Sequence, residues 1–72
     1  MNTAEWTAAF AEAAGVPPPS AADIDQLLQL AAVAAHASER TAAPITCWIA
    51  ALAGITPAEA LALAETIRTA TD

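Results

Sequence analysis

The groups in this 72-residue chain that could do chemistry are few: one histidine (His36), one cysteine (Cys47), two serines (Ser20, Ser38), two arginines (Arg40, Arg68) and eight carboxylates. A serine hydrolase needs nucleophile, base and oxyanion donors together. Here Ser38 and His36 stand two residues apart on one predicted helix and point away from each other. Pairing Cys47 with His36 would demand a partly exposed thiol of lowered pKa. A lone cysteine on a helix reads more simply as a small hydrophobe. Asp23 and Asp25 also diverge on a helix and form no acid–base pair. Phosphate cradling needs a glycine-rich loop or clustered cations, and the chain has only Gly15 and Gly54. A zinc site needs a second thiol or grouped histidines. The residues therefore predict a chain that is not an enzyme and holds no metal or cofactor.

One polar constellation remains. His36 and Arg40 lie one turn apart near a helix C-terminus, where positive charge is favoured, and with Thr46 they form a candidate contact for a carboxylate, a phosphate or a protein partner. The alternative is that His36 and Arg40 cap the last carbonyls of their own helix. Eight acids against two arginines and no lysine leave a net charge of −6, so no cationic field exists to hold nucleic acid or an anionic membrane surface. The N-terminus carries Glu5 where a secretory signal carries base. The most apolar run, Ala42 to Ile55, is about 14 residues, short of the roughly 20 needed to span a bilayer. With a single cysteine, these features predict a cytoplasmic protein without a membrane segment.

The elements that would position these groups are helices. The hydrophobic share is 57%, but 23 of those residues are alanine, the strongest helix former, and tyrosine is absent. The punctuation divides residues 1–72 into a single helical domain with helices at about residues 3–14, 21–38, 42–53 and 57–70 and a proline-rich spacer at 16–19. Asn2 with Glu5, Ser20 with Asp23, and Thr56 with Glu59 are capping-box pairs, and Thr41 is the expected cap of the third helix. Pro44 and Pro57 suit first turns, while Gly15 and Gly54 suit left-handed ends. The fold predicted is an all-α, compact four-helix bundle with short connections.

Helical spacing also predicts faces. The first helix turns Trp6, Ala9, Phe10 and Ala13 inward. The second buries Ile24, Leu27, Leu28, Ala31, Ala34 and Ala35, with Asp25, Gln29, His36 and Arg40 opposite; Val33 intrudes on that polar sector and is expected to touch another segment or a partner. The third, with its stripe Ile45, Trp48, Ile49 and Leu52 and small residues elsewhere, is expected at the centre. The fourth points Ala60, Leu63, Ala64 and Ile67 inward, Leu61 at the margin, Glu65 and Thr69 outward. Trp6 and Trp48 read as core anchors, and an exposed tryptophan would instead mark an interface.

The stretch from Leu30 to Thr46, with its run Ala35-His36-Ala37-Ser38-Glu39-Arg40-Thr41-Ala42-Ala43-Pro44-Ile45-Thr46, followed by an apolar helix ending at Gly54, resembles a small actinobacterial all-helical domain family of unknown function. Its pattern reads approximately A-H-x-x-E-R-x-A-A-P-L-T, and Glu5-Trp6 also fits it. Members commonly carry the name molybdopterin-guanine dinucleotide biosynthesis protein and occur alone, fused to the molybdenum cofactor guanylyltransferase, or beside formate dehydrogenase genes. His36, Arg40, Ala43, Pro44 and Thr46 match the pattern. Ala32 and Val33 depart from a frequent Arg-Asp pair, and Ala37 from a frequent glycine. Nucleotidyl transfer itself requires a nucleotide-binding α/β fold that an all-helical chain lacks. The resemblance thus implies a non-catalytic interaction module or small subunit serving molybdenum cofactor maturation or a molybdenum-dependent formate dehydrogenase, with a molybdoenzyme or maturation protein as partner. Two other readings stand beside it: a small anion- or cofactor-binding protein using His36 and Arg40, and a stand-alone homodimer with tryptophans packed across a two-fold axis.

Overall fold

A computed structural model describes residues 1–71; Asp72, the last residue of the expected domain 1–72, lies outside the described residues. The described residues form four helices, α1 (Thr3–Ala14), α2 (Ala21–Ala37), α3 (Ala42–Ala53) and α4 (Pro57–Thr71), and include no strand. The all-α four-helix bundle expected from composition is the fold adopted.

Three of the four starts are closed by reciprocal capping. At α1 the Glu5 N–H donates to Asn2 Oδ1 at 2.8 Å and the Asn2 N–H to Glu5 Oε1 at 3.1 Å. Ser20 with Asp23 and Thr56 with Glu59 repeat the arrangement at α2 and α4. Each pair satisfies two donors that a helix start otherwise leaves to water. Thr41 departs from expectation. Its backbone is already helical (φ −65°, ψ −18°) and its side chain makes no capping bond. The preceding turn does that work, because the Ala42 and Ala43 N–H groups donate to the Glu39 and Arg40 carbonyls at 2.9 and 3.2 Å. At the other ends Gly15 (φ 78°) and Gly54 (φ 70°) adopt the left-handed conformation that side chains with a Cβ rarely take.

The centre of the bundle is α2, not α3. Both α3 and α4 pack extensively on α2, while α3 and α4 scarcely touch each other and α1 makes no extensive contact with any helix. The core is correspondingly small: Leu30 on α2, Ala50 on α3 and Ala60 on α4, with Leu27, Cys47, Ile55 and Ala64 packed around them. Leu30, which the helical-face reading passed over, is the most buried large side chain at 1% exposure. A helix gripped on two sides buries a wide arc, and Leu30 sits near the middle of it. Val33 is half-buried and lines a hollow together with Ala64, Ile67 and Arg68 of α4. Leu28 lies outside the arc and is exposed.

Candidate functional site

The largest departure from the sequence reading is the orientation of α3. Its face toward α2 is the small one, with Ala50 buried and Ala43, Thr46 and Cys47 half-buried. Small residues let this helix approach Leu30 and Leu27 closely. The bulky stripe points the other way: Ile45, Trp48, Ile49 and Leu52 are all exposed, Trp48 at 66% and Leu52 at 69%. The expectation that this stripe forms the core is therefore reversed.

The other helices show the same inversion in weaker form. On α1 the buried residue is Ala11, with Thr7 half-buried, while Trp6 and Phe10 are exposed and lie beside each other with ring centroids 6.4 Å apart and ring planes tilted by 37°. They line, with Val16, Pro17, Leu27, Cys47 and others, a groove of about 980 Å³ that separates α1 from the α2–α3 pair. Neither tryptophan is a core anchor. On α4 the inward arc is rotated toward Leu61, Glu65 and Arg68, all half-buried, and Leu63 and Ile67 become exposed rims. Arg68 holds Glu65 there through Nε at 3.0 Å and Nη2 at 2.7 Å. Between α3 and α4 runs an apolar cleft of about 270 Å³, floored by Leu30, Ala50 and Ala60 and edged by Ile49, Leu63 and Ile67.

The three candidate polar contacts sit on different segments, His36 in α2, Arg40 in the turn after it and Thr46 in α3. His36 lies in the last turn of α2, but helical geometry ends at Ser38 (φ −139°, ψ −99°), so the one-turn register does not carry through to Arg40 in the following turn. Both side chains are exposed and neither makes a side-chain hydrogen bond or ion pair with a described residue. They do not cap α2; Ser38 does, its N–H and Oγ both donating to the Ala34 carbonyl at 3.2 and 2.7 Å. Thr46 is half-buried in α3 and lines a hollow of about 430 Å³ with Ser38, Glu39, Thr41, Ala42 and Ile45. The charged group on that hollow is an acid, Glu39.

Cys47 is half-buried against the core cluster, and burial pushes its thiol above the usual pKa. An activated nucleophile would require the opposite shift. Among the described residues no group of three or more His, Cys, Asp or Glu side chains is placed to hold a metal ion, and no helix is long and apolar enough to cross a membrane.

What the molecule presents is thus an apolar surface. Residues 1–72 match the family model described as a domain of unknown function, DUF6457. The chain belongs to that family. Its description names neither an activity nor molybdenum. No curated protein and no solved structure matches the chain.

The sequence missed these outward residues because apolar periodicity finds a stripe without saying what covers it. One signal was present: α3 is apolar on one face and small on the other, and a small face is the one suited to close packing on a neighbouring helix.

Proposed function

We propose that this member of the DUF6457 family is a non-catalytic helical interaction module, a small subunit that works through protein contacts. The observation that carries the reading is the outward stripe of α3, four large apolar side chains on a helix that bears no charged residue. Monomeric proteins seldom leave large contiguous apolar patches in water, and such patches commonly mark protein–protein surfaces. The setting of molybdenum cofactor maturation or a molybdenum-dependent formate dehydrogenase rests on the resemblance of the segment from Ala35 to Thr46, and it directs the choice of partners to test.

The test is direct binding of the purified chain to a purified molybdenum cofactor guanylyltransferase and a purified formate dehydrogenase, followed by calorimetry. Micromolar or tighter binding to one of them, weakened at least fivefold by Arg40→Ala with helicity unchanged, supports the module in that setting. Binding to neither removes the molybdenum assignment. Heat exchange with guanine nucleotide alone that is lost in His36→Ala would favour the anion-binding reading instead.

A further inference from the structure

We infer that the occupant of the outward face of α3 is a second copy of this chain, docked antiparallel about a two-fold axis that passes between Trp48 and Ile49. The inference rests on the reading of the chain as an interaction module and names one partner for it.

The area is the first support. The chain exposes 5193 Å² of accessible surface, whereas a folded monomer of 7.2 kDa is expected to expose about 4,100 Å². The excess, about 1,000 Å² per chain, is on the scale of the roughly 800 Å² that each partner loses in a standard stable interface. The excess belongs to the chain as a whole; within it Ile45, Trp48, Ile49 and Leu52 are exposed large apolar side chains contiguous on one helix.

Self-complementarity is the second. The stripe falls at i, i+3, i+4 and i+7, the pattern that meshes helix on helix. It is also symmetric about its own midpoint. In an antiparallel pair centred there, Ile45 meets Leu52 of the second copy and Trp48 meets its Ile49, so one patch serves both sides as a two-fold contact requires.

Charge is the third. Each copy carries −6, which opposes association, but none of that charge lies on α3, whose residues from Ala42 to Ala53 are all uncharged. The docked faces meet without burying an ionised group.

Sedimentation equilibrium of the full chain tests this. The expected mass is twice 7.2 kDa at micromolar concentration. Trp48→Glu and Ile49→Glu, both at positions exposed in the protomer, are expected to weaken self-association at least 100-fold. Should either variant lose its helices, the Trp6→Phe chain, with Trp48 as its one indole, supplies a second readout: emission shifts to the red on dilution as Trp48 returns to water. A wild-type chain that sediments as a monomer at hundreds of micromolar, or a folded Trp48→Glu chain that dimerises normally, overturns the inference. A monomer that still binds a molybdenum-system protein refutes the second copy and leaves the interaction-module reading standing. A dimer that binds neither test protein does the reverse to the molybdenum setting.

Discussion

At the residue scale, individual groups contribute very unequally. Among the described residues Leu30 is the one large side chain fully enclosed, and it packs with Ala50 of α3 and Ala60 of α4. Removing a buried leucine side chain costs about 2–5 kcal/mol, and a domain of this size rarely has more than roughly 3–5 kcal/mol to lose. Leu30→Ala is therefore expected to be largely unfolded at 25 °C, as read by the helical circular dichroism signal; a cooperative urea transition at the wild-type midpoint would contradict that placement. Glu59 has a pH signature. Hydrogen bonds from the Thr56 backbone N–H, and then from its hydroxyl, hold the carboxyl below the usual range in the folded chain. A carboxyl whose folded pKa lies below its unfolded one adds stability that is complete above the unfolded value and lost as pH falls through the folded value. Acidification from about pH 5 through the carboxylate range should loosen the start of α4. The Glu59 side-chain NMR titration should have a midpoint below that of an unstructured peptide, and Glu59→Gln, which keeps the capping geometry, should flatten the acid dependence of melting.

At the element scale, local chemistry and tertiary packing part company. The four helices were legible because their determinants are short-range: capping boxes reach three residues and a left-handed glycine acts at one position. Thr41 escaped because a turn of helical sense supplied its successors' N–H groups with backbone acceptors, a feature that residue types at 39–42 do not announce. Helical spacing does not relate His36 to Arg40 for the same reason, since α2 stops at Ala37 before Arg40 is reached. The packing of α1 carries its own consequence. Held by Ala11, Thr7 and the stiff Pro17–Pro19 run rather than by an extensive helix contact, it should open at low free energy. Amide hydrogen exchange is expected to be at least about tenfold faster in α1 than in the middle of α2. Equal protection of the two would show that α1 belongs to the same cooperative unit.

At the scale of the whole molecule, the chain is elongated, 39 × 23 × 18 Å, with a radius of gyration of 12.7 Å where about 11 Å is expected for a compact domain of this length. The core is small, built around one leucine and two alanines. If association covers the exposed face of α3, melting follows mass action: the transition temperature should rise by several degrees over about a hundredfold increase in protein concentration, and moderate salt should raise it further by screening the charge of −6 on each copy. A melting temperature independent of concentration would place all of the stability in the single chain.

The sequence by itself determined that this protein is all helical, where its helices begin, and that its net charge is −6, because propensity, capping and charge depend on residue type and short spacing. Only the tertiary structure decided which side of each helix is covered. Periodicity marks two faces on α3, a bulky one and a small one, and both are apolar enough to be buried. Close approach to Leu30 of α2 selected the small one, because alanine-sized side chains admit a neighbouring helix where tryptophan and isoleucine would hold it off, and the bulky face was left turned outward.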